Sequence, residues 1–250
     1  EVAHLSDDDD FKRTALFQAA ELYKGEAEFQ RAIQSYREYA HTYPLPLADY
    51  FEATYSLSAL YGELDNQKNA DFWRRKTISA SRHFSKQINS ERVRYIVAEE
   101  ALILGKRSGN LFERYRLVEP LKANLKNKKS HMLAAVKYFG IAARSPFAEI
   151  KADAIHQIGG IYANFSQALL GSERPASLSD IELEQYEILL EDQAFPFEEK
   201  AIEMYERNLR LASAGGMSQW IKLSYSELEK LYPARYMRKL KVDAVINGVN

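Results

Sequence analysis

Apolar residues return every three or four positions through most of this chain, and an early pattern of them returns about 38 residues later. Leu16, Ala19, Ala20 and Tyr23 fall on one helical face. Phe29, Ala32, Ile33, Tyr36, Tyr39 and Ala40 fall on another, and Pro44 stops it. Gly25 separates the two helices. Ala20 and Ala32 are small, so the pair can pack closely across a tight turn, while Tyr23 and Tyr36 act as wedges toward the next pair. Leu57, Ser58, Tyr61, Ala70, Arg74 and Thr77 then occupy the places of Ala19, Ala20, Tyr23, Ala32, Tyr36 and Tyr39. A chain with this periodicity folds as stacked helices. No run of alternating β-branched residues between hairpin turns offers a strand instead.

The order small residue, Tyr, Ala, aromatic, Pro resembles the tetratricopeptide repeat (TPR). Residues 16–44 match it well. Residues 54–81 match in part, with Arg74 in place of the aromatic. The resemblance implies an all-α, TPR-like α-solenoid of antiparallel helix pairs. By the family's alignment, the groove-facing positions are Thr14, Phe17, Glu21 and Lys24 in the first repeat and Glu52, Tyr55 and Ala59 in the second. Around a later helix they are His156, Gly160 and Asn164. Exposed, Phe17 and Tyr55 would anchor a peptide. Buried, they would be core between repeats.

The remaining chain reads as further helices. Residues 1–10 form an acidic leader whose aspartates favour a helix start. Residues 11–236 form one helical array, with clear repeats at 11–44 and 50–81, degenerate ones at 90–145 and further pairs at 148–236. Residues 237–250 form a basic tail. A helix is expected from Ser90 to Arg107, broken by Gly105 to Asn110. One long central helix is expected through Leu121 to Phe139, with Lys122, Lys126, Lys128 and Lys129 on a solvated face. Pro146 resets the chain. Gly159 and Gly160 suit a close helix crossing. Residues 171–178 form a loop, and Ser179 with Glu182 makes a capping box. Leu183, Tyr186, Leu189 and Leu190 form the next apolar face. Pro196 is expected to end or kink that helix, with Phe195 and Phe197 pinning its successor. Gly215 and Gly216 form a turn before the helix of Trp220, Leu223, Leu228 and Leu231.

Composition excludes several functions. With no Cys there is no disulfide, thiolate metal site or Cys nucleophile. The 34 Lys and Arg nearly balance the 35 Asp and Glu, which gives no reason to expect nucleic-acid binding. No apolar run nears the roughly 20 residues of a membrane helix. The chain begins at Glu1, not Met, and is expected to be a piece from which any signal peptide or lipid anchor has been removed. Its neutrality hides a basic middle, Arg74 to Lys129, and an acidic stretch, Asp180 to Glu206. This asymmetry either orients a partner or is surface composition.

No catalytic motif or cofactor site emerges. The five His lack recognised ligand spacing. Asp153 and His156 stand one turn apart, where local partners are favoured over a metal. Gly105-Lys106-Arg107-Ser108-Gly109 lacks the strand and spacing of a phosphate loop and reads as a helix-ending turn. Glu184, Glu187 and Glu191 share a helix face but lack the Glu-x-x-His partners of a dimetal bundle, so they read as solvated.

Residues 148–236 carry a narrower resemblance. Arg174-Pro175, Leu183-Glu184-Gln185-Tyr186 and Gln193 to Ile202 lie there, with Trp220 and Pro233 to Tyr236. This block is similar to bacterial envelope TPR proteins that accompany TonB/ExbB/ExbD-type energy-transducing systems and gliding-motility machinery. It implies a non-enzymatic periplasmic or envelope scaffold whose partners are other proteins. A cytoplasmic adaptor or regulator binding peptide or chaperone partners is the alternative.

Overall fold

The computed structural model describes residues 8–212 and 218–237. The first seven residues of the leader, the Gly215-Gly216 turn and the tail from residue 238 lie outside the described residues. Among the described residues every regular element is a helix. They are α1 (Asp9–Gly25), α2 (Phe29–Thr42), α3 (Leu47–Glu63), α4 (Gln67–His83) and α5 (Glu91–Arg114). Then come α6 (Leu121–Ala142), α7 (Ala148–Leu170), α8 (Asp180–Leu209), α9 (Gln219–Leu231) and the short α10 (Pro233–Tyr236). None is long and apolar enough to cross a membrane among the described residues.

The 38-residue shift is also a shift of backbone geometry. In the α1–α2 turn Glu28 N–H donates to Tyr23 O and Ala27 N–H to Lys24 O. In the α3–α4 turn Asn66 N–H donates to Tyr61 O and Asp65 N–H to Gly62 O. Ala27 and Asp65 both hold positive φ, 58° and 53°. Each turn thus closes its helix with a left-handed residue and satisfies the last carbonyls. Asp8 starts α1 by accepting from Asp10 and Phe11 N–H, and Asn66 caps α4 through Asn69 N–H.

Helices that follow one another run antiparallel. Phe17 meets Tyr39 while Glu21, further along α1, meets Tyr36, earlier on α2. Gly105 meets Phe139 while Phe112 meets Lys128. Gly159 meets Tyr205 and Phe165 meets Phe197. Alternate helices α3 and α5 run parallel, since Glu52 bonds Arg92 and Tyr55 bonds Glu99. The repeat positions Ala20, Ala32, Leu57, Ser58, Ala70 and Thr77 are all buried. Buried Asn208 ties three helices, its amide donating to Ala152 O on α7 and Ser224 Oγ on α9.

Four sequence expectations are corrected. First, α5 continues through Gly105–Asn110 to Arg114. A Cβ at Gly105 would lie 2.5 Å from Phe139 Cδ1, and Gly109 is buried facing Ile161. These glycines permit close crossings and do not end the helix. Second, the long helix expected through Leu121 to Phe139 is present as α6, with 22 residues, but it does not stand alone in length: α5 has 24, α7 23 and α8 30.

Third, Pro196 does not end its helix: α8 continues through it, with the proline on an exposed face. Ala194 before it and Ala201 and Tyr205 after it are all buried, so packing on both sides outweighs the missing hydrogen bond. Phe195 is exposed. Phe197 alone packs inward, edge-on to Phe165 at 4.6 Å. Leu189 faces solvent, while Leu190 is buried.

Fourth, the basic stretch of α6 is not uniformly solvated. Lys122, Lys126 and Lys129 are exposed, but Lys128 is only 3% exposed. Its Nζ donates to Phe112 O and Tyr115 O and lies 3.9 Å from the centre of the Phe112 ring. A cation there answers the negative end of α5 and its free carbonyls. Burial lowers its pKa.

Gly105→Ala tests the close crossing. Overpacking against the buried Phe139 costs about 1–3 kcal/mol, against up to ~1 kcal/mol of helix propensity gained. The expected net is a loss of about 1–2 kcal/mol in urea unfolding. A neutral or stabilising substitution contradicts it.

Candidate functional site

The positions expected from the repeat alignment divide between two places. Thr14, Phe17, Glu21 and Lys24 lie on α1, and Glu52, Tyr55 and Ala59 on α3. Side chains from α3 link these two helices to α5. Lys24 Nζ donates to Ser56 Oγ at 3.3 Å. Glu52 receives a bidentate pair from Arg92, Nε at 2.6 Å and Nη2 at 3.0 Å. Tyr55 hydroxyl donates to Glu99 Oε2 at 2.7 Å, and Tyr95 hydroxyl donates to Glu99 Oε1 at 3.2 Å. The Arg92 guanidinium also lies over the Tyr55 and Tyr95 rings, 5.2 and 5.7 Å from their centres.

Phe17 is half-buried, edge-on to Tyr36 and Tyr39. It packs with the core between α1 and α2. Tyr55 is also half-buried, and its ring packs near Phe51 and Ile96. Its outward hydroxyl is already committed to Glu99. Glu21 accepts a short hydrogen bond from Tyr36 hydroxyl and lies 3.8 Å from Lys24. Thr14 Oγ1 donates to Asp10 O within α1. Ala59 is exposed.

His156, Gly160 and Asn164 lie on α7 and serve other packing. His156 Nδ1 lies 3.1 Å from Ser224 Oγ, and its ring sits between Tyr205 and Trp220. A Cβ at Gly160 would lie 3.8 Å from Tyr205 Oη. Asn164 Oδ1 accepts from Lys128. Asp153 is taken by Lys106 at 2.7 Å. No group of three His, Asp or Glu suited to a metal occurs among the described residues. Glu184, Glu187 and Glu191 are exposed on α8.

Sequence reading did not single out Arg92, Tyr95 and Glu99. The signal was present, because Tyr95 follows Tyr55 by nearly the repeat length and the three residues share one face of α5. Beneath them lies a buried polar layer. Ser58 donates a short hydrogen bond to Glu100, and Arg74 Nε lies 3.0 Å from Glu100 Oε2. That last contact is an ion pair without hydrogen-bond geometry. Arg74 also pairs with Asp71, whose other oxygen takes Arg107 Nε at 2.7 Å. The departure at Arg74 from the aromatic of the repeat pattern is therefore matched by an acid on the next helix.

Electrostatics follow burial. Desolvation, then the hydrogen bond to Glu99, pushes the Tyr55 hydroxyl up, so it is a neutral donor at ordinary pH. The Tyr36 hydroxyl rises for the same reasons through Glu21. The Arg92 guanidinium is raised chiefly by its hydrogen bond to Glu52. Desolvation raises Glu100 to about 7, against the lowering influence of Ser58 and Arg74. A cavity of about 780 Å³ opens elsewhere, on α2 beside Arg37 and His41.

Glu100 sets a pH dependence. Its folded pKa exceeds the unfolded value, so the folded state binds the extra proton between roughly pH 4.5 and 7. The contribution is full below that window and is lost as pH rises through about 7. Urea unfolding should show stability falling across the window by on the order of 2–3 kcal/mol. Glu100→Gln should flatten the profile. A slope of opposite sign would mean that Arg74 holds Glu100 ionised.

Comparison of the chain with protein-family models, curated proteins and solved structures finds no match, so a functional reading rests on this geometry and on the sequence.

Proposed function

We propose that this protein is a non-catalytic protein-binding scaffold. It is a TPR-like α-solenoid that holds a partner segment along the face shared by α1, α3 and α5. The observation that carries this reading is a ladder of three polar contacts, Lys24 with Ser56, Arg92 with Glu52 and Tyr55 with Glu99. It spans three helices that belong to successive pairs. The recurrence of the turn geometry after 38 residues supports the repeat reading.

A surface of this kind suits an extended segment. The tyrosine rings and the Arg92 stem give apolar contact, and the fixed carboxylates and cations select polar groups. The hydroxyls and charges already bond one another, so little freedom is lost when a ligand docks. Ala59 and Thr14 leave exposed, unobstructing positions beside the ladder. The assignment to a bacterial envelope complex rests on the resemblance of residues 148–236, and the partners proposed are other components of that complex.

Capture of partners by the purified chain from an envelope extract tests the face. Lys24→Glu with Arg92→Glu reverses two exposed charges and leaves the core untouched. Helical content and thermal unfolding should stay near wild type, while affinity for the captured partner falls at least about tenfold. Undiminished capture would show that partners bind another face. Phe17→Ala is the poorer variant, because Phe17 packs with Tyr36 and Tyr39.

A further inference from the structure

We propose that the protein self-associates by docking the exposed face of α8 from one copy into the arginine-lined cleft between α4, α5 and α6 of another. This contact uses neither the α1–α3–α5 ladder nor any partner of it.

The cleft has a volume of about 390 Å³ and is lined by Arg75 of α4, Arg107, Leu111 and Arg114 of α5 and Tyr138 of α6. Asp71 lies there too, but both its oxygens are occupied, one by Arg74 and one by Arg107. Gln67 holds Arg107 further. Among the described residues, Arg75 and Arg114 have no carboxylate within ion-pair distance. The cleft is therefore a fixed concentration of positive charge around Leu111, which is 41% exposed. Its walls are sides of helices, so it lacks the converging N-terminal amides that favour phosphate. Guanidinium forks with an apolar residue between them suit carboxylates flanking an aliphatic side chain.

Helix α8 carries that arrangement. Ile188 is 56% exposed, and Glu184 and Glu191 stand beside it in solvent. The spacing Glu184, Ile188, Glu191 equals the spacing Arg107, Leu111, Arg114: four residues, then three. Each charged pair spans about 10.5 Å of helix axis. Laid side by side and parallel, the helices put Ile188 against Leu111 and Glu191 beside the unpaired Arg114, with Glu184 at the Arg107 end of the cleft that Arg75 also lines. Ile181 and Phe195, seven residues to either side of Ile188, extend the apolar ridge and are both exposed. The two surfaces sit on different helices, so the contact is heterologous. Copies either exchange α8 in a closed pair or join head to tail.

Analytical ultracentrifugation of the full chain tests this. Wild type should sediment at multiples of 28.7 kDa as concentration rises, with association weakened by salt. Arg75→Glu/Arg114→Glu and Glu184→Arg/Glu191→Arg should each remain monomeric, with unchanged helical content. Among the described residues these four have no ion pair to lose. An equal mixture of the two variants should restore association as a one-to-one species. A wild type that stays monomeric at every concentration overturns the proposal. So does association that both variants retain, or a mixture that fails to restore it. Failure here leaves the ladder untouched, because capture through Lys24 and Arg92 is read separately.

Discussion

The ring of Phe139 occupies the space that any side chain at position 105 would need. The Tyr205 ring does the same at Gly159, where a Cβ would meet it at 2.6 Å. These two contacts seat α6 on α5 and α8 on α7 at a separation that only glycine permits. In the first two pairs Ala20, Ala32 and Ala70 provide the small surfaces, all fully buried. Helices held this close cannot slide without unseating a ring. The position of each surface side chain, including the ladder across α1, α3 and α5, follows from those seats.

Between the apolar seats runs a polar layer that a purely hydrophobic helix stack would lack. Glu100, Arg74, Asp71 and Arg107 link α4 and α5, and Ser58 draws in α3. Buried ion pairs contribute little net stability compared with apolar packing, but breaking one leaves an uncompensated charge. Here the layer fixes the register of α5 against α3 and α4. That register brings Arg92 to Glu52 and Glu99 to Tyr55. Lys128 serves a comparable purpose at the far end of α5, where its cation bonds the carbonyls of Phe112 and Tyr115.

Much of this was legible in the chain. The boundaries of α1 to α4 follow from Gly25, Pro44 and the apolar spacing. The capping box of Ser179 and Glu182 stands where the motif puts it. The failures share a cause. A glycine inside a helix pattern reads as a stop until the ring that fills its space is known, and Phe139 is distant in sequence from Gly105. Pro196 reads as an end until Ala194 and Ala201 are both seen buried in one continuous helix. Lys128 reads as solvent-facing until the end of α5 is placed above it. For the candidate site, the family's alignment named Glu21, Lys24, Glu52 and Tyr55, which stand at exposed or half-exposed positions. The same alignment named His156 and Gly160, whereas tertiary contacts commit both to packing against Tyr205 and α9.

The chain contains no cysteine, so a single cysteine carrying a photo-cross-linker reports one position without interference. Placed at Ala59, exposed on the ladder face, it should cross-link the bound partner segment. Placed at Glu38, exposed on α2, it should not. Cross-linking from Glu38 and none from Ala59 would contradict binding along α1, α3 and α5.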